Sequence, residues 1–119
     1  MRKFIFMLTI VVSSILLLAV ACKSTTETPS PKHQVNMANF TFVPDSLSIS
    51  IGDTVLWVNK ESVSHTTTSG VNGVWDSLWD SGVMALGDSF KHVFSTTGTF
   101  HYFCRIHYSN GMTGRIVVR

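Results

Sequence analysis

Charged residues are scarce in this chain of 119 residues. Lys and Arg number nine and Asp and Glu number seven, together 13% of the sequence. Two of the basic residues, Arg2 and Lys3, belong to the extreme start. Without them seven basic residues (nine minus two) stand against seven acidic ones. No basic cluster or arginine-rich stretch remains, so the sequence lacks the electrostatic features of a nucleic-acid-binding surface.

Cysteine is nearly absent, since Cys22 and Cys104 are the only two. Cys22 follows a basic start, an almost wholly apolar run at 4–20 and the small residues Ala19 and Ala21. This order is typical of a secretory signal. The run is also about as long as a short transmembrane helix, which leaves an uncleaved anchor as an alternative.

The position of Cys22 suggests a lipid attachment site. Residues 1–22 resemble a bacterial lipoprotein signal, in which the cysteine after the cleavage point carries lipid. The resemblance implies that residues 1–21 are removed and that Cys22 tethers an exported protein to a membrane of the cell envelope, in the periplasm or at the outer face. Such signals prefer Leu where this chain has Ala19. A plain secreted protein remains an alternative.

The segment after Cys22 is polar. It holds two of the three prolines and lacks apolar periodicity, which predicts a flexible tether over 22–33. The folded domain is then expected over 34–119. Export would leave Cys104 without a disulfide partner once Cys22 carries lipid. A lone thiol is open to oxidation outside the cytoplasm, so Cys104 is either a metal ligand or a buried core residue.

The domain has no long helical periodicity. Leu47, Ile49 and Ile51 alternate with serines, and turn residues recur at short intervals, which predicts an antiparallel β-sandwich of about seven to eight strands. Residues 66–88 are less regular. They are expected to form an irregular loop with room for a short helix, because Trp75 and Trp79 lie one helical turn apart. The remaining strands are predicted at 36–43, 54–58, 89–95, 99–104 and 113–118.

Cys104, His107 and Met112 follow a C-x2-H-x4-M spacing, and His65 lies upstream. Two imidazoles, a thiolate and a thioether form the ligand set of a type 1 copper site, in which the methionine is a weak axial ligand. Thiolate and thioether suit Cu(I), and imidazole also suits Cu(II). Parity along the strand places Cys104 on the same inward face as Tyr102. Core packing is the alternative role for Met112, and solvated loop positions are the alternative for the two histidines.

Several further segments resemble the bacterial plastocyanin-like cupredoxins. They are residues 52–55, 80–82, 87–90, 98–104 and 114–118, and the resemblance covers nearly all of 35–119. It implies a cupredoxin Greek-key β-sandwich with one type 1 copper ion that carries single electrons as Cu(I)/Cu(II). By the same match, His65, Cys104 and His107 are equatorial metal ligands and Met112 is the axial one.

The resemblance also bears on partners. It implies a monomer that meets transient redox proteins, such as a cytochrome, an oxidase or a reductase, rather than an enzyme. Thr66, Phe103 and Ile106 stand where plant plastocyanins usually have Asn, Tyr and Pro. The photosynthetic docking mode is therefore not expected. A copper carrier or buffer of the cell envelope is the alternative function.

Three other histidines and Met84 are less favoured as ligands. His92 is expected to be a core or rim residue, and His33 and His101 to be solvated. Met84 could compete as an axial ligand, although residues 83–86 are expected instead to supply apolar surface near the site.

Overall fold

The computed structural model describes residues 32–119, and the predicted signal, Cys22 and most of the predicted tether lie outside the described residues. Two β-sheets form the domain, with strand orders β2-β1-β4-β7 and β3-β9-β8-β5-β6. No helix in the described part is both long and apolar enough to cross a membrane. The strands are β1 His33–Ala38, β2 Thr41–Val43, β3 Ser46–Ile49, β4 Thr54–Asn59, β5 Thr68–Val71, β6 Val74–Asp80, β7 Ser89–Val93, β8 Gly98–Phe103 and β9 Thr113–Val118.

The core lies between the two sheets. In β4 every second residue is buried, namely Val55, Trp57 and Asn59, as expected for a strand with one face on the core. The indole of Trp57 contacts Tyr102 of β8 at a centroid distance of 5.4 Å and Trp79 of β6 at 5.6 Å. Aromatic side chains from both sheets therefore join the two layers.

The predicted all-β sandwich is confirmed, but the prediction that its strands pair only in antiparallel fashion is wrong. β1 pairs with β4 and β3 pairs with β9 in parallel, so both sheets are mixed. Local alternation of apolar residues predicts a strand but carries no information on the direction of its neighbour.

The single strand predicted at 36–43 is divided in two. Asn39 and Phe40 adopt positive φ angles of 51° and 57°, and this turn separates β1 from β2. β1 itself begins at His33, one residue before the predicted start of the domain. The ring of His33 is not solvated as predicted, because its Nε2 lies 2.8 Å from the Asp53 carboxylate.

The prediction of a loop with a short helix at 66–88 is also wrong. The segment contains the antiparallel pair β5 and β6, with a register shift between Thr68 and Gly70. Trp75 and Trp79 lie on one strand, where Trp79 is buried and Trp75 is half exposed. β6 is an edge strand that is mostly exposed, and Ser77 interrupts it with a φ of 73°. The strand therefore lacks the alternation by which sequence patterns identify a strand.

Candidate metal centre

His65 lies in the connection between β4 and β5 and is fully buried. Its backbone forms a two-bond bridge with Met84, with N···O distances of 3.1 and 2.8 Å. The side-chain amide of Asn59, at the end of β4, donates to the carbonyls of Val63 and Met84 at 2.8 and 2.9 Å. Hydrogen bonds at both ends thus hold the histidine-bearing segment in place.

Cys104 directly follows β8, and its side chain is fully buried on the core face, as its parity with Tyr102 predicts. The Cys104 amide donates to the Met112 carbonyl at 3.0 Å, and the Met112 amide donates to the His107 carbonyl at 3.4 Å. A 3-10 turn, Tyr108–Asn110, and Gly111 with a φ of 78° return the chain to the start of β9. Short-range hydrogen bonds therefore close the segment that carries the C-x2-H-x4-M residues.

Three of the four predicted ligands meet at this end of the sandwich. Nδ1 of His65 lies 3.8 Å from Sγ of Cys104, and the rings of His65 and His107 are 4.9 Å apart between centroids. Met112 is buried in the same core cluster as Cys104. Within residues 32–119, no group of three or more His, Cys, Asp or Glu side chains has metal-binding geometry. The candidate site is therefore defined only by the placement and chemistry of its possible donors.

In both His65 and His107 the hydrogen bond is made by Nε2, which leaves Nδ1 available to bind a metal. Nε2 of His107 donates to the Ser64 carbonyl at 3.2 Å, since a carbonyl oxygen only accepts. Nε2 of His65 contacts the carboxylate of Glu61. In a neutral imidazole the other nitrogen, Nδ1, then carries the lone pair, as is usual when a histidine ligand is oriented by an outer hydrogen bond. Two imidazole Nδ1 atoms, a thiol and a thioether fit the donor set of type 1 copper.

Thr66 joins the two segments that carry the candidate ligands. Its backbone N–H donates to Sγ of Cys104 at an N···S distance of 3.4 Å. Its hydroxyl accepts the N–H of Arg105 at 2.9 Å. The departure from Asn at this position therefore leaves the hydrogen bond to sulfur in place, because the backbone supplies it.

Glu61 contacts the candidate ligand His65 and was not among the residues predicted from the sequence. Partial burial raises the pKa of this carboxyl, but hydrogen bonds from the Phe40 N–H, the His65 ring and the Asn39 N–H outweigh that effect and hold the pKa below its ordinary value. The only sequence pattern that involves Glu61 is its position four residues before His65. This spacing is too common in proteins to identify a metal site.

The outer side of the site is apolar. His107 is half buried, and the ring of Phe40 meets it edge-on at a centroid distance of 4.8 Å. Ile106, Leu86 and Val83 are all strongly exposed. The segments that carry these residues, 83–86 and 104–107, both adjoin the candidate ligands.

The remaining candidates occupy core or surface positions. His92 packs against Trp79 and Phe94 at centroid distances of 4.9 and 4.8 Å, and burial lowers its pKa. His101 is exposed, as predicted. Met84 is almost fully buried in the core, so it does not supply the apolar surface expected of it.

The sequence matches the family described as copper binding proteins, plastocyanin/azurin family, over residues 30–119. The chain belongs to this family. Its domain is thus a cupredoxin, a copper-binding protein, and members of the family act as copper-containing electron carriers.

Known relatives agree with this assignment. This cupredoxin is 38% identical to plastocyanin from Scenedesmus fuscus over 85 residues, 66% of this chain and 86% of the relative. It is 27% identical to amicyanin from Paracoccus denitrificans over 84 residues, 71% of this chain and 63% of that protein. Among solved structures, the purple cupredoxin from Nitrosopumilus maritimus superposes with a TM-score of 0.67 at 32% identity, over 73% of this chain and 99% of the other.

Proposed function

We propose that this cupredoxin carries single electrons through one type 1 copper ion, with His65, Cys104 and His107 as equatorial ligands and Met112 as the axial ligand. The observation that carries the proposal is the buried contact of His65 Nδ1 with Cys104 Sγ, 3.8 Å apart. The two residues are 39 positions apart in the sequence. Their approach brings the distant histidine to the segment that holds the other three donors.

When bound, copper supplies a one-electron couple that this mixture of soft and borderline donors tolerates in both states. The protein contributes rigidity. Cys104 is held by its position at the end of β8 and by the hydrogen bond from its backbone N–H to the Met112 carbonyl. His65 is held by the pair of backbone hydrogen bonds that it forms with Met84. Donors on the ends of sheet strands are held more tightly than donors on loose loops. Little rearrangement is then needed when the electron arrives or leaves.

One backbone N–H is directed at the sulfur of Cys104. Cys104 is fully buried, and the Thr66 N–H points to its sulfur. A hydrogen bond donated to an anionic acceptor is stronger than one donated to a neutral acceptor. The thiol loses its proton on metal binding, and this N–H then stabilises the negative charge.

The half-buried His107 is the proposed port for electrons. Phe40 contacts its ring, and Ile106 precedes it in the chain. Leu86 lies close in sequence to Met84, which is bonded to His65, and all three apolar side chains are exposed. A surface of this kind excludes water from a brief contact without requiring fixed charge pairs. Small interfaces suit partners that must separate quickly. The proposed partners are therefore transient redox proteins, such as a cytochrome, an oxidase or a reductase, met by a monomer.

The proposed location follows from residues 1–33, most of which lie outside the described structure. A lipid on Cys22 and a polar tether over 22–33 would hold the exported domain near a membrane of the cell envelope. Recovery of the protein with the membrane fraction, lost in Cys22→Ser, tests this part separately from the copper chemistry.

The electron-carrier proposal is tested by visible spectroscopy of the copper-loaded protein. An intense thiolate-to-copper charge-transfer band is expected in the wild type and should disappear in Cys104→Ser. Cys22→Ser is the matched control because it replaces the other cysteine, and it should keep the band. A colourless Cu(II) complex of the wild type would contradict the proposal. Loss of copper to a mild chelator during redox cycling would instead favour a copper carrier or buffer.

The axial role of Met112 has its own test. Met112→Leu keeps the apolar volume, and such exchanges usually cost less than about 1.5 kcal/mol of stability. Because a thioether donor is lost, the reduction potential should rise while the charge-transfer band persists. Met84→Leu, at a buried methionine without a proposed ligand role, is the control and should leave the potential near that of the wild type. An unchanged potential in Met112→Leu would show that Met112 serves packing alone.

A further inference from the structure

We propose that Glu61 is a positioning residue that fastens the Asn39–Phe40 turn to His65 and thereby holds the ring of Phe40 against both candidate ligand imidazoles. The inference rests on the proposed ligation by His65 and His107. It adds a link between the metal centre and the β1–β2 hairpin, which contributes no ligand of its own.

The carboxylate of Glu61 makes three contacts at once. Oε2 accepts the backbone N–H of Asn39 at 3.0 Å, and Oε1 accepts that of Phe40 at 3.1 Å. Oε1 also contacts Nε2 of His65. Glu61 is itself anchored, since its own N–H donates to the Asn59 side chain at 3.0 Å. One side chain thus joins a turn of the four-stranded sheet to a buried candidate ligand.

The turn needs such support. Asn39 and Phe40 both have positive φ angles, and this conformation is uncommon for a bulky residue such as Phe. Strained backbone of this kind persists only where the surroundings hold it. The two N–H groups that Glu61 accepts belong to these two residues. The carboxylate is therefore the contact best placed to keep the turn in this conformation.

The position of Phe40 gives the turn its importance. Phe40 is 41% exposed, so burial alone does not fix its ring. It nevertheless meets the His107 ring edge-on at 4.8 Å and the His65 ring at 6.1 Å. With the turn held, the ring limits rotation of both imidazoles. We expect the histidines to keep one orientation in both oxidation states, which favours fast electron exchange.

The same domain offers a matched control at the other end of β4. The Asp53 carboxylate contacts Nε2 of His33 at 2.8 Å and accepts the N–H of Ser50 at 2.9 Å. It is also a carboxylate that joins an imidazole to a backbone turn, but its histidine is not a candidate ligand. Asp53→Asn should therefore match Glu61→Gln in any general effect on the fold and differ from it at the metal centre.

The first measurement uses the metal-free full-length protein. In Glu61→Gln an amide NH2 replaces one accepting oxygen and faces a backbone N–H. Hydrogen exchange of the Asn39 and Phe40 amides, followed by NMR, should become about tenfold faster, as expected for the loss of a charge-assisted hydrogen bond. Asp53→Asn should leave these two amides unchanged. Wild-type exchange rates in Glu61→Gln would overturn the proposal, whether or not the copper proposal holds.

The second measurement uses the copper-loaded protein. Glu61→Gln should alter the copper hyperfine splitting in the electron paramagnetic resonance spectrum and slow electron self-exchange several-fold, and Asp53→Asn should do neither. Phe40→Leu keeps the apolar bulk without the ring and should reproduce the slower self-exchange with Glu61 intact, even if Glu61→Gln folds poorly. Self-exchange at the wild-type rate in Phe40→Leu would overturn the role of the ring. Absence of a type 1 spectrum in the wild type would instead count against the proposed ligation.

Discussion

The backbone nitrogen of Thr66 lies 3.4 Å from the sulfur of Cys104 and donates a hydrogen bond to it. The same residue accepts the N–H of Arg105, the neighbour of Cys104, through its hydroxyl at 2.9 Å. Two hydrogen bonds in opposite directions thus connect the segment of His65 to the segment of Cys104. The first depends only on the backbone, whereas the second depends on the side chain.

Replacement of the Thr66 hydroxyl should therefore lower the free energy of unfolding but leave the hydrogen bond to the sulfur of Cys104 in place. Thr66→Val keeps the shape but leaves the part-buried Arg105 N–H without its acceptor, and we expect a loss of about 1–3 kcal/mol in the free energy of unfolding. Urea unfolding of the metal-free protein measures it. Thr66→Ser retains the hydroxyl and should lose less. Equal stability of the two variants would show that the hydroxyl contributes nothing.

Gly114 should tolerate no side chain. It lies opposite Tyr102 in the β8–β9 pair, and a Cβ there would be 2.4 Å from Cζ and 2.5 Å from the hydroxyl of Tyr102. Tyr102 is buried against Trp57 and Phe42 and has little room to move. Gly114→Ala should lower the free energy of unfolding by about 1–3 kcal/mol.

A double-mutant cycle with Tyr102→Leu separates this clash from other effects. Leu lacks the atoms that a Cβ at Gly114 would meet. The Gly114→Ala substitution should therefore be less costly on the Tyr102→Leu background than on the wild type, with a favourable coupling energy between the two sites. Strict additivity would mean that the cost of Ala arises elsewhere in β9.

Asp53 should contribute an acid-sensitive part of the stability. The N–H of Ser50 and the ring of His33 hold the pKa of its carboxyl below the ordinary value of 3.8. The folded state thus favours the carboxylate, so this contribution is present above the unfolded pKa and is lost as the pH falls through the folded one. The difference in unfolding free energy between wild type and Asp53→Asn should shrink below pH 3.8. A difference that stays constant with pH would contradict this.

His92 should also make the protein less stable as the pH falls, but at a higher pH than Asp53 does. Burial beside Trp79 and Phe94 holds its pKa below the ordinary value of 6.5. The unfolded chain then binds the proton more readily, so stability falls as the pH drops below 6.5 toward the folded pKa. His92→Phe should remove this part of the slope, as measured by urea unfolding. His101→Gln, at an exposed histidine, should keep it, and equal slopes in the two variants would refute the assignment.

Several features of the domain were predictable because they depend on neighbouring residues. The alternation of Leu47, Ile49 and Ile51 with serines predicted a strand, and a second strand was predicted at 54–58. The structure has β3 and β4 there, although β3 ends at Ile49 and Ile51 is exposed. The parity of Tyr102 and Cys104 predicted that both face the core, and both are buried. Strand periodicity is a local property, so it can be identified without knowledge of the partner strand.

Other features were not predictable because distant contacts decide them. The exposed edge strand β6 has no apolar alternation, and it forms by pairing with β5. The division of 36–43 into two strands depends on a turn whose two N–H groups bond to Glu61, more than 20 residues away. Sequence patterns contain no record of such a partner.

The sequence by itself determined which donors the domain has to offer a metal: one thiol, two imidazoles and a thioether, three of them within nine residues. The tertiary structure decided that His65 reaches Cys104 and that Nδ1 of each histidine is left available. It also brought Glu61 into contact with His65 and Phe40 into contact with both histidines. The physical reason is the distance along the chain between the residues that interact. Donor chemistry belongs to single residues, whereas orientation arises from hydrogen bonds and packing between segments that only the folded sheets bring together.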